Sequence, residues 1–263
     1  MTAGRSPLSL AAGAAAWLGY LLLALPSLII VPMSFGASDE LEFPPRALSL
    51  HLYRVYFLES NWMAATLQSL EVACGTVIVS LALGVGAAYG LARTEFPGKR
   101  LATMLLLSPA FIPAIVLGLG LYLYLGIAHL SGTTLGLIVS HSLIAIPFVI
   151  LTTMAGLRHV DRDLDTAAAV MGAGRLYVLR RVTLPLLRPT ILAAALFAFL
   201  ISFDEVVISY FVAGVRTQTL PVKMYSAIHW EISPVLAAVS TLLSALSLAI
   251  CLAAALLRRD PPP

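Results

Sequence analysis

The chain has 263 residues, 60% of them hydrophobic and 11% charged, with a formal net charge of +3. A mean hydropathy of +0.95, with less than half the roughly 25% charged residues of a soluble domain, excludes an ordinary water-soluble fold. What remains is an all-α, polytopic membrane helix bundle forming a single transmembrane domain over residues 1–263.

Apolar runs long enough to cross a hydrocarbon core of ~30 Å predict six transmembrane helices. They lie near 11–33, 66–92, 101–127, 134–156, 190–212 and 235–257. The first is read as a retained helix. It is longer than a signal h-region and has no small-x-small cleavage site before a polar mature sequence. With six spans, one side of the membrane collects twelve of the sixteen basic residues. The other collects Arg46, Arg54, Arg216 and Lys223. The positive-inside rule then predicts a multi-pass protein of the inner (cytoplasmic) membrane with both termini cytoplasmic. The net charge reflects orientation in lipid. No basic patch is interleaved with aromatics outside the membrane, so no nucleic-acid partner is expected.

The outward segment 34–65 carries Pro44, Pro45, Tyr53, Tyr56, Phe57 and Trp62. Aromatics with polar edges settle at a membrane interface, and such a segment also suits an extracytoplasmic partner. A second outward loop, 213–234, holds Pro221, Lys223, Tyr225, His229, Trp230 and Glu231. Small residues are dense in the second and third spans (Gly84, Gly86, Gly90, Gly118, Gly120, Gly126), which predicts close helix packing. Pro109, Pro113 and Pro147 remove backbone hydrogen bonds, so each is expected to bend its helix. Cys74 and Cys251 fall inside spans and read as small packing residues. The histidines at 51, 129, 141, 159 and 229 are scattered and show no metal-ligand spacing, so no metal is expected.

Residues 157–188, LRHVDRDLDTAAAVMGAGRLYVLRRVTLPLLR, stand apart. They hold six of the basic residues, which places them on the cytoplasmic side. Leu164, Ala168, Met171 and Leu179 have helical spacing, and Asp161, Asp163 and Asp165 suit the positive end of a helix dipole. Gly172 costs ~1 kcal/mol inside a helix, so it reads as a turn between two short helices. Pro185 and Pro189 close the segment. The predicted element is a helix–turn–helix elbow, either a docking surface or an amphipathic connector.

The elbow resembles the cytoplasmic loop of ABC importer permeases, whose pattern is E-A-A-x3-G-x9-I-x-L-P. Here Thr166, Ala167, Ala168, Gly172, Val182, Thr183, Leu184 and Pro185 fit every spacing, before the second-last span. Thr166 replaces the glutamate. Asp165 adjoins it, though one residue turns a side chain about 100° around a helix. GLARTEFPGKR (90–100), SPAFIPAIVLG (108–118), SFDEVVISYFVAG (202–214) and TLPVKMYSAI (219–228) are similar to the spermidine/putrescine branch of these permeases. The same holds for the Ile232–Ser233–Pro234 turn, and the likeness runs from about residue 45 onward.

The resemblance implies a type I ABC importer permease fold, with Asp165, Thr166, Ala167, Ala168, Met171, Gly172, Ala173 and Arg175 docking on an ATPase. It implies an ATPase subunit dimer, a second homologous permease, an extracytoplasmic binding protein and membrane lipid as partners. ATP and Mg would sit on the ATPase. This chain would bind no cofactor and is not expected to be an enzyme, and no GxxxxGK[ST] phosphate loop occurs in it. The solute implied is a small cation or zwitterion, a polyamine first and aminoethylphosphonate or another amine as the alternative. It would move by alternating access.

Asp204 and Glu205 are the acids of the fifth span. Asp204 lies 14 residues beyond Thr190, which at ~1.5 Å per residue is about 21 Å into a ~30 Å core. A charge there costs at least ~2.5 kcal/mol unless it faces a cavity or partner. Ser202, Asp204, Glu205 and Tyr210 are therefore expected along the solute path, with an interhelical or gate contact as the other reading. Two further classes fit less well. An intramembrane enzyme needs facing catalytic groups, whereas Ser140, His141 and Ser142 are adjacent and no GxSxG exists. An ion-coupled secondary transporter usually shows internal repeats, and none is evident.

Overall fold

The computed structural model describes residues 7–59 and 61–257. Helices dominate, and the only extended pairing among the described residues is an isolated bridge between Gly36 and Leu48. The chain clusters into two compact units, Ala64–Tyr225 and a terminal unit made from the segments before and after it.

In the terminal unit, α1 (Pro7–Met33) packs against the last helix, residues Val235–Leu257. A short helix, α2 (His51–Arg54), continues into a π turn, Val55–Glu59. The Ser34 hydroxyl lies 2.7 Å from the Tyr53 hydroxyl, and the Phe35 and Tyr53 rings are 5.4 Å apart. Tyr56 and Trp62, grouped in sequence as interfacial aromatics, are buried; Phe57 is exposed. The segment is thus a packed piece of fold with only part of its aromatic surface free.

The larger unit begins with α3 (Trp62–Arg93), whose Ala64 is its first residue there. The predicted third span is not one helix. It runs as α4 (Lys99–Leu107), a 3-10 turn (Ser108–Phe111) and α5 (Ala114–Ile127), bent by 104° at the break. The prolines explain this. Ile112 precedes Pro113 and is pushed to an extended conformation, φ −82 and ψ 131. By contrast, α6 (Thr134–Leu157) runs through Pro147 unbroken, and its N-terminus is capped by Thr133, whose hydroxyl accepts from the Gly136 N–H.

Beyond α6 come α7 (Arg162–Val170), α8 (Arg175–Val178), a π turn (Leu179–Thr183) and α9 (Leu184–Leu186). The predicted fifth span is divided into α10 (Arg188–Phe203) and α11 (Val207–Val212). The chain ends with α12 (Leu220–Ser226), a π turn (Ala227–Glu231) and α13 (Val235–Leu257). Among the described residues, three helices are long and apolar enough to cross a membrane, and two bent pairs bring the total to five if each counts as one span; α13 adds the apolar stretch Val235–Ile250.

Central in this unit is α6. It packs on α10 through Ala145, Val149, Ala194 and Ala198, with Val85 of α3 joining them. It also joins α3, α5 and α11 through Leu137, Val72, Leu121, Leu125, Ile208 and Val212. Lipid is as apolar as leucine, so close van der Waals contact drives such packing. Gly84 is one point of close approach: a Cβ there would meet Val149 Cγ1 at 2.7 Å, as one at Gly75 would meet Ile138 Cδ1 at 2.5 Å. Gly118 has the same role toward Phe211, whereas Gly86, Gly90, Gly120 and Gly126 face open space. Only two of the six glycines singled out in sequence are thus required by packing. Cys74 lies on the exposed face of α3, contrary to its reading as a packing residue.

Candidate docking elbow and acidic break

The elbow forms as its spacing predicts. Asp163 and Asp165 lie in the first turn of α7, and Asp161 accepts a hydrogen bond from the Asp163 N–H at 3.0 Å. This places carboxylates at the positive end of the helix. Gly172 turns the chain with φ +86, a region that carries a steric cost for other L-residues. The Ala173 N–H then closes the turn on the Ala168 carbonyl at 3.1 Å.

The four apolar positions expected on one side do not share it. Ala168 is buried, while Leu164 and Met171 are exposed, Met171 at 82%. Val170, Leu176 and Tyr177 are exposed as well, and so is Ala167. The elbow therefore presents an apolar knob at its tip, with Arg180 and Arg181 exposed nearby. The side chains of Thr166 and Arg175 lie outside those described.

Asp165 is engaged within the chain. The resemblance implied it as an ATPase-docking residue, one position before Thr166. Its carboxylate lies 2.9 Å from Arg93 Nε at the end of α3, and it accepts from the Thr183 hydroxyl at 3.1 Å. The side chains of Arg93 and Asp165 are only 9% and 17% exposed. The charge is used inside the chain, because a half-buried carboxylate needs a partner of opposite sign close by.

The acids of the fifth span are not inside a helix either. α10 ends at Phe203, and Asp204 leaves helical geometry at φ −93, ψ 1. Glu205 Oε1 accepts the Ile208 N–H at 2.7 Å and so caps the start of α11. Asp204 is exposed, and among the described residues no ion pair engages it. The two neighbours therefore differ: one carboxylate is held by backbone, the other is open.

Sequence reasoning missed the group that flanks this break. His141 of α6 is fully buried, with Nδ1 2.8 Å from Ser202 Oγ and Nε2 2.8 Å from Ser209 Oγ. Ser202 donates onward to Thr76 of α3 at 3.3 Å. With that hydrogen directed to Thr76, Nδ1 carries the imidazole proton and Nε2 accepts from Ser209. Ser202 is thus 4% exposed and turned into a polar cluster, not open to a path as expected. Tyr210, by contrast, is exposed; its ring lies 5.7 Å from that of Tyr225, nearly at right angles. Together with Ile115, Val206, Val207 and Phe211 they line a cavity of about 240 Å³ next to the acidic break.

A bundle of broken apolar helices carrying a polar elbow is the architecture of a multi-pass membrane protein. The chain belongs to the family of binding-protein-dependent transport system inner membrane components, whose pattern matches residues 1–259. Among its relatives is the spermidine/putrescine transport system permease protein PotC of Escherichia coli K12, 31% identical over 92% of this chain and 91% of that protein. The PotC of Haemophilus influenzae is 28% identical over 91% and 93% of the two chains. The putrescine transport system permease protein PotI of Escherichia coli K12 is 30% identical over 86% and 83%. In fold, the chain is similar to a subunit of a bacterial ABC transporter involved in import of the acidic polysaccharide alginate. That match has a TM-score of 0.74 at 15% identity, covering 99% of this chain and 100% of the other.

Proposed function

We propose that this chain is one permease subunit of an ATP-driven importer for a small cationic solute, with a polyamine as its cargo. The observation that carries the machine is the elbow: a TAA-x3-G signature folded as helix, left-handed glycine and helix, with Val170 and Met171 exposed at its tip. An apolar knob in water is unfavourable until a partner covers it. In this reading α7 and the Gly172 turn seat on a separate ATPase, with Ala167, Ala168, Met171, Gly172 and Ala173 at the contact. ATP and Mg are handled there. A second, homologous permease completes the path, and an extracytoplasmic protein delivers the solute. The elbow and both termini face the cytoplasm, following the distribution of basic residues. ATP-driven closure of the ATPase pair moves α7, the bundle opens outward to receive solute, and hydrolysis resets it.

The cargo reading rests on the polyamine relatives and on the chemistry beside the break. Asp204 is an open carboxylate, and the Tyr210–Tyr225 pair offers aromatic faces to an ammonium group. Glu205 supports this site by fixing the start of α11. A zwitterion such as aminoethylphosphonate brings a cationic end too, and competition with it separates the two cargoes. The test is uptake of radiolabelled putrescine and spermidine by cells depleted of their other polyamine importers. Uptake that depends on this chain is expected, and Asp204→Asn should reduce it roughly tenfold, equivalent to losing about 1.4 kcal/mol of solute attraction, with complex assembly unchanged. Uptake indifferent to Asp204→Asn in an assembled complex removes that residue from the path.

A further inference from the structure

We propose that Arg93 is the positioning residue that transmits movement of α7 to the long helix α3. This rests on the reading of the elbow as an ATPase-docking element. As a short helix, α7 has α8 and the Leu179–Thr183 turn as its closely packed neighbours. Among the described side chains, a guanidinium ties it to a long helix. Arg93, the last residue of α3, pairs with Asp165 at 2.9 Å and donates to the Val160 carbonyl at 2.8 Å. Val160 lies before α7 and Asp165 within it, so Arg93 grips both sides of the hinge at which α7 leaves the bundle. Asp165 in turn accepts from Thr183, which is fully buried in the π turn leading to α10. A push on the elbow is thus shared by α3 and by the entry to α10. Because the pair is shielded from water, its attraction is stronger than that of a surface pair. The link holds α7 as a rigid extension of α3.

The experiment uses the full complex in lipid nanodiscs. Spin labels are placed at Leu83→Cys on α3 and Leu164→Cys on α7, with Cys74→Ser and Cys251→Ser. Pulsed electron–electron resonance reads their separation with and without ATP and vanadate. In the parent a single sharp distance is expected that does not change with nucleotide. Asp165→Asn keeps the acceptor for Thr183 and removes only the charge; its distance distribution should broaden and shift once nucleotide is added. The exchange Arg93→Asp with Asp165→Arg should restore the sharp distance. A distance in Asp165→Asn as sharp as in the parent, a nucleotide-driven change in the parent itself, or an exchange no better than the single variant would each overturn the link. Co-purified ATPase is measured in the same samples. If the parent recovers none, the docking reading falls. If only Asp165→Asn loses it, Asp165 is a docking residue and the link is overturned.

Discussion

His141 is held on both sides of its ring. Both ring nitrogens are engaged, by Ser202 at the end of α10 and by Ser209 within α11. Its ring therefore braces the two helices on either side of the Asp204–Glu205 break. His141→Ala would leave two buried hydroxyls without that partner, at ~1–3 kcal/mol each, and open a cavity. A loss of at least ~2 kcal/mol is expected, read as a fall in melting temperature in detergent, with His141→Asn restoring at most one of the bonds. An unchanged melting temperature for His141→Ala would show that the brace carries no stability. The cluster was hidden in the sequence because its partners lie 61 and 68 positions away, and a lone histidine on an apolar helix carries no signal of its own. A comparable distance in sequence hid Arg93 from Asp165, so the ion pair between them was not legible beside the elbow's signature. Asp204 and Glu205 were legible as the acids to watch. Their different fates were not, because that difference arises from the chain leaving helical geometry at Asp204.

At the scale of elements, glycine and proline carried most of the legible information. Gly172 read as a turn because glycine is unfavourable inside a helix, and the turn is left-handed. Pro109 and Pro113 read as bends, and the chain breaks there by 104°. Pro147 read the same way, yet α6 continues through it, and its residue is buried in the packed centre of the bundle. Packing thus overrode a local preference. The glycines of α3 divide in a way their spacing does not reveal. Gly84→Val is expected to push α3 from α6 at a cost of ~1–3 kcal/mol, because its Cβ would meet Val149. Gly86→Val, with open space around it, should be near neutral. Thermal denaturation of the two variants decides this: equal melting temperatures would contradict the close approach, and Val149→Ala should recover part of the Gly84→Val loss. At the elbow, Gly172→Ala adds left-handed strain of ~1–2 kcal/mol on a local turn. The expected reading is normal membrane insertion with weakened recovery of an ATPase.

At the scale of the whole molecule, the long apolar helices and the elbow suit different surroundings. The helices suit lipid, which explains a chain 60% hydrophobic. The elbow mixes exposed charge with exposed apolar side chains, of which Val170 and Met171 at its tip are the most open. This contrast underlies the central claim, that the chain converts work done by a separate ATPase into movement of a solute path. Competition separates the cargo readings: excess aminoethylphosphonate is expected to leave putrescine uptake unaffected, and strong inhibition would move the assignment toward a zwitterion. The central claim itself is tested most directly by recovering the tagged chain from its host in mild detergent and quantifying the ATPase that comes with it. The expected result is a phosphate-loop ATPase recovered with the parent chain and largely lost with Gly172→Asp, at equal amounts of membrane-inserted permease. Recovery of no ATPase with the parent, or of equal amounts with Gly172→Asp, would contradict it.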